Sequence, residues 1–92
     1  MKKIFTAFDN KEQAWASDEV SLNRNIYLTI SLTKAGKVVI RQNCGDGKWY
    51  RMPIKKHNDT KEFCVRLQIP ISGFKIKIFT STQPKDISYA YI

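Results

Sequence analysis

Eight carboxylates, one histidine and two cysteines are the side chains of this 92-residue chain with the means for acid–base, nucleophilic or metal chemistry. The carboxylates are Asp9, Glu12, Asp18, Glu19, Asp46, Asp59, Glu62 and Asp86, and each falls in or beside a stretch of turn-like or undecided composition. General acid–base catalysis needs such groups converging on one proton, and no spacing here predicts a pair. His57 would have to activate Cys44 or Cys64, but it sits in the polar run KKHNDTK, where a solvated side chain is expected. A metal site fails for the same reason, because no third or fourth ligand has suitable spacing. Gly45-Asp46-Gly47-Lys48 looks like part of a phosphate loop, yet it lacks the following Ser or Thr and the helix whose amino end would hold the anion. The expectation is a protein that is not an enzyme and carries no cofactor or metal.

Binding is the chemistry that remains. Tyr27 and Phe79 fall on strand faces opposite the aliphatic ones, and either Trp49 or Tyr50 must also face away from a core. Arg41, Arg51, Arg66, Lys75 and Lys77 lie beside them. Aromatic and arginine side chains are what protein interfaces enrich. The candidate contact residues are therefore Arg41, Trp49, Tyr50, Arg51, Arg66, Lys75, Lys77 and Phe79. Trp49→Ala would cost about 3–5 kcal/mol if Trp49 belongs to the core, and much less if it is a contact residue.

The elements that must position these residues read as short strands. Ile26, Leu28, Ile30 and Leu32 alternate with Tyr27, Thr29, Ser31 and Thr33, the period of two that marks a half-buried strand. Residues 37–43 and 48–54 flank Gly45-Asp46-Gly47 as a β-hairpin, with Asp-Gly supplying the positive dihedrals of a tight reversal. Strands 26–33, 37–43 and 48–54 are expected to form a meander. A polar loop is expected over 55–61. Phe63, Val65, Leu67 and Ile69 then define a buried side, as do Phe74, Ile76 and Ile78, and a terminal strand covers 87–92. Residues 11–22 satisfy neither the helical nor the strand period. Turn signals at roughly ten-residue spacing point to an all-β, antiparallel two-sheet β-sandwich, jelly-roll or Ig-like, of about seven to eight strands.

Composition sets the outer bounds. The length suits a single domain over 1–92, with 1–24 as an N-terminal segment that supplies an edge strand and an anchoring arm. Sixteen Lys and Arg against eight Asp and Glu give a formal charge of +8, which favours an acidic partner surface. The basic residues are scattered, so the charge does not single out nucleic acid. Met1-Lys2-Lys3 opens like a signal peptide, but the apolar run stops at Asp9-Asn10, too early for export, and no stretch reaches the length of a membrane span. Two free thiols, Cys44 and Cys64, are expected of a reducing compartment.

The order of the pieces resembles small β-sandwich modules of tailed-bacteriophage virions. The matching residues are Ile26-Leu28-Ile30, Val38-Ile40, Asp46-Gly47-Lys48-Trp49, Val65-Arg66-Leu67, Gly73-Phe74-Lys75-Ile76, Ser81-Thr82-Gln83-Pro84 and the run from Ile87 to Ile92. The resemblance implies a structural protein of the virion, made in the bacterial host cytoplasm. Its implied role is an auxiliary capsid protein of the decoration or cementing type, with head fibres and tails as related settings. Its implied partners are the major capsid protein, other virion proteins and further copies of itself, as in a trimer. Two other readings stand beside it: a carbohydrate-binding module stacking sugars on Trp15, Trp49 or Tyr50, and a nucleic-acid-binding β-barrel driven by the positive charge.

Overall fold

The structure is a computed structural model that describes residues 1–52 and 60–92. Every regular element in it is a β-strand: β1 (Lys2–Lys3), β2 (Thr6–Asp9), β3 (Ala14–Ser17), β4 (Val20–Leu22), β5 (Ile26–Gly36), β6 (Val38–Asn43), β7 (Tyr50–Arg51), β8 (Thr60–Leu67), β9 (Phe74–Thr80) and β10 (Pro84–Tyr91). They form two antiparallel sheets, a smaller one in the order β1-β10-β5-β8 and a larger one in the order β2-β3-β9-β6-β7, with β4 also paired to β9. Ten strands replace the seven to eight expected. Two causes account for the excess: the edge strand expected of the N-terminal segment divides into β1 and β2, one in each sheet, and the undecided stretch 11–22 supplies β3 and β4. The expected loop keeps only Lys61 and Thr60 within view, and both open β8. His57, Asp59, Pro53 and Ile54 lie outside the described residues.

The meander is overturned. β5 belongs to the smaller sheet and β6 to the larger, so these two do not pair, and only the β6–β7 half of the meander forms. Gly36 is where the chain passes between them. A Cβ at this position would stand 2.6 Å from Ser81 Oγ and 2.8 Å from Thr82 Oγ1, so only glycine fits so close a crossing. The crossing is fastened to the β9–β10 connection: Lys37 N–H donates to Ser81 Oγ at 2.8 Å, and Thr82 Oγ1 donates to the Lys34 carbonyl at 2.8 Å.

Both sheets feed one core. Ile26, Leu28, Ile30, Leu32, Leu67, Ile87 and Tyr89 come from the smaller sheet, and Leu22, Val38, Ile40, Phe74, Ile76 and Ile78 from the larger. The alternation read along 26–32 and 74–78 is the alternation observed. Phe63 and Val65 on β8, the last strand of its sheet among the described residues, and Ile69 just beyond it pack against the core and stay partly exposed.

β3 and β4 lie end to end along β9, Ala16 opposite Phe79 and Val20 opposite Ile76. Between them the ladder is interrupted, and a side chain repairs it. The buried Ser17 hydroxyl accepts a hydrogen bond from Ile78 N–H at 2.8 Å and donates to the Asp18 carbonyl at 2.9 Å. Ser17→Ala leaves the N–H of fully buried Ile78 without its acceptor, a loss of about 1–3 kcal/mol. Urea unfolding of the variant checks this, and a midpoint equal to wild type would contradict it.

Candidate binding face

The site is built on the outer face of the larger sheet. Ile40, Ile76 and Ile78 point inward, so the intervening Arg41, Lys75, Lys77 and Phe79 point outward. Register then sets three cations in one row. Arg41 on β6 lies directly opposite Lys77 on β9 and directly opposite Arg51 on β7. Like charges facing one another across strands repel. Two neighbours relieve this repulsion. The Arg41 guanidinium makes a two-pronged contact with Glu12, Nη1 to Oε1 and Nη2 to Oε2 both at 3.2 Å. It also lies 4.4 Å from the centre of the Phe79 ring, with Lys77 Nζ at 5.6 Å from the same ring.

Glu12 is placed by the β2–β3 turn. The Asp9 carboxylate accepts from the N–H groups of Lys11 at 2.9 Å and Glu12 at 3.2 Å. Gln13 takes a positive φ of 52°, and its side-chain amide donates to the Asn10 carbonyl. Asp9, Glu12, Arg41, Trp49, Lys77 and Phe79 together line a shallow groove of about 190 Å³.

The β6–β7 hairpin carries the rest. Gln42 pairs with Tyr50 and Arg41 with Arg51, so the reversal is a longer loop over residues 44–49 and not the tight turn expected. Gly45 and Gly47 take positive φ (100° and 80°), while Asp46 does not. Asp46 acts instead through its carboxylate, which accepts from Lys48 N–H at 3.0 Å and from the Tyr50 hydroxyl at 3.1 Å. Asn43 Oδ1 accepts from Gly45 N–H at 2.8 Å. Both side chains close local turns, which accounts for the Gly-Asp-Gly-Lys run without a phosphate. The hydrogen bond to Asp46, then its negative charge, raises the Tyr50 phenol above its ordinary value of 10.0. Asp46→Asn removes the charge, so phenolate absorbance at Tyr50 should appear at lower pH than in wild type. Identical titration curves would contradict the contact.

The eight expected contact residues divide. Arg41, Lys75, Lys77 and Phe79 share the outer face, and Arg51 extends it. Trp49 lines the groove half-buried and is absent from the core cluster. Tyr50, opposite Gln42, stands on the other side of the hairpin and is exposed. Arg66 is on β8 in the other sheet, its guanidinium 5.8 Å from the Tyr27 ring. Phe79 requires a correction: it faces outward as the alternation predicts, but it is only 7% exposed because Arg41 and Lys77 cover it. Phe79 supports the cations and is not itself a contact surface. Trp15, a candidate sugar platform, is half-buried and meets Phe8 edge to face at 5.4 Å.

Glu12 and Asp9 are the site residues that sequence reasoning missed. Each looked like a lone loop carboxylate, and Glu12 stands 29 positions from the arginine it grips. Among the described residues no group of three or more His, Cys, Asp or Glu is placed to hold a metal ion. Cys44 and Cys64 are both exposed thiols. Among the described residues no helix is long and apolar enough to cross a membrane. What the fold and this face define is an all-β protein of two antiparallel sheets with a cationic, aromatic-backed outer surface. Comparison with protein-family models, with curated proteins and with solved structures gives no match.

Proposed function

We propose that this chain is a virion structural protein of tailed phages, an auxiliary capsid protein that decorates or cements a shell by binding the major capsid protein. The two sheets are read as a β-sandwich of the jelly-roll or Ig-like kind, a rigid frame for a contact face. The observation that carries the binding reading is the row Lys77–Arg41–Arg51, set in register across β9, β6 and β7 over the covered ring of Phe79. Only Arg41 of the three has an acidic side chain as a salt-bridge partner among the described residues. A row of this kind is relieved by an acidic surface opposite it, and the chain's +8 charge steers such an encounter. Lys75, one alternation further along β9, extends the same face. Association is expected to weaken as salt rises, since these side chains meet their partner near the surface.

Mass spectrometry of density-purified particles of the phage that encodes the chain tests the assignment. The chain should be present in many copies per particle, and its absence would refute the virion role.

The groove favours a second reading. Trp49 beside Asp9, Glu12 and Arg41 offers a ring and several hydrogen-bonding groups, the combination that a sugar uses. Retardation in polysaccharide affinity gels, lost in Trp49→Ala, would support a carbohydrate-binding module. No retardation on any polysaccharide removes it.

A further inference from the structure

We infer that β8 is the seam of a two-fold dimer, in which the edge strands of two copies pair antiparallel about Cys64. β8 ends the smaller sheet, and among the described residues no strand pairs with its outer side. Its register with β5 runs without a break from Ile26 opposite Leu67 to Ser31 opposite Glu62. Proteins ordinarily protect such an edge with a bulge, a proline or an inward-pointing charge. None of these interrupts residues 62–67: the register shift of β8 lies before Glu62, where Thr60 pairs with Gly36, the proline comes later, at Pro70, and Glu62 and Arg66 point outward.

The pattern of residues along the strand is self-complementary. Glu62, Cys64 and Arg66 lie on the solvent face, while Phe63, Val65 and Leu67 lie toward the core. Paired antiparallel about Cys64, Glu62 of each copy faces Arg66 of the other, Phe63 faces Val65, and the two Cys64 side chains meet at the axis. Two cross-strand ion pairs and two cross-strand apolar pairs form at once.

Other registers lose this match. A shift that sets inward residues against outward ones inverts the sheet. Of the registers that keep the faces aligned, centring on Glu62 sets carboxylate against carboxylate, and centring on Arg66 sets guanidinium against guanidinium. Centring on Phe63 or Val65 puts Cys64 against one charged side chain and leaves no Glu–Arg pair.

The charged partners are already held in place. Ser31 Oγ donates to Glu62 Oε1 at 3.2 Å, and the Tyr27 ring lies under Arg66. Such ordering lowers the side-chain entropy lost on association. The two four-stranded sheets would join into one continuous sheet. Because the two-fold axis runs perpendicular to that sheet, both Lys77–Arg41–Arg51 rows would face the same way. A dimer would therefore present two cationic rows to one surface, where avidity multiplies a modest single contact. The dimer rests on the geometry of β8 alone and stands even if the virion role fails.

Analytical ultracentrifugation of the full chain at concentrations up to about 1 mM tests it, since an edge contact of this small size associates weakly. Wild type should show a concentration-dependent dimer. Glu62→Arg alone and Arg66→Glu alone each set like charges opposite one another and should weaken the dimer roughly tenfold to a hundredfold. The double variant Glu62→Arg/Arg66→Glu restores opposite charges in reversed order and should recover wild-type association. With diamide as oxidant, which takes two electrons and two protons from a pair of thiols, Cys44→Ser should cross-link through Cys64 and Cys64→Ser/Cys44→Ser should not. A wild-type chain that stays monomeric, or charge variants that dimerise alike, would overturn the inference.

Discussion

Phe74→Ala should lower the free energy of unfolding by about 3–5 kcal/mol, whereas Trp49→Ala should lower it by roughly 1 kcal/mol. The contrast follows from where the two rings sit. Phe74 opens β9, pairs with Leu22 on β4 and is wholly buried within the core shared by both sheets. Truncating it removes apolar area from the core and leaves a cavity that strands fixed by their ladders cannot close. Trp49 lies between the hairpin loop and β7, half-buried against the outer groove. Its loss exposes the side of the groove to water and leaves the core intact. Chemical denaturation of both variants checks the pair. Equal losses would mean that Trp49 carries core packing, contrary to its place outside the core cluster.

Arg41→Glu should leave the fold standing while weakening partner binding roughly tenfold to a hundredfold. The new carboxylate would face Glu12 where a two-pronged ion pair stood, and Phe79 would lose the nearer of its two cations. Each of those contacts is partly exposed, with the Arg41 and Glu12 side chains 37% and 36% accessible, so the stability cost stays near 1 kcal/mol. Binding is affected more because the substitution reverses the middle charge of the Lys77–Arg41–Arg51 row. Arg41→Lys separates charge from geometry. It keeps the positive charge but gives up the planar fork and the stacking, and should bind between wild type and Arg41→Glu.

The strands that could be read from the sequence are those whose alternation is long. β5, β8 and β9 alternate more and less buried residues over 26–32, 62–67 and 74–78, and their inner faces were legible from Ile26, Leu67, Phe74 and their neighbours. β3 and β4 were not legible, because they have four and three residues and the Ser17 hydroxyl stands in for the ladder between them. A period needs more residues than that to show. Pairing was the other failure. The short Lys34-Ala35-Gly36 link suggested neighbours in one sheet, whereas the tight packing of Gly36 against Ser81 and Thr82 carries the chain across to the second.

On the outer face of the larger sheet the alternation placed Arg41, Lys75, Lys77 and Phe79 on one side correctly. It could not show that Arg41 would cover Phe79, nor that Glu12 would reach Arg41 from another hairpin, because both depend on strands brought together from distant parts of the chain. Arg66 was grouped with these residues on residue type, and topology sets it on the other sheet.

The central claim is that the Lys77–Arg41–Arg51 face binds the shell of a tailed phage. Co-sedimentation tests it most directly, with purified chain added in increasing amounts to tailed-phage shells assembled without it. Wild type should pellet with the shells to a saturating number of copies, and Arg41→Glu, folded by circular dichroism, should need roughly tenfold to a hundredfold more chain to reach the same occupancy. Wild type left in the supernatant, or both chains pelleting equally, would contradict the account.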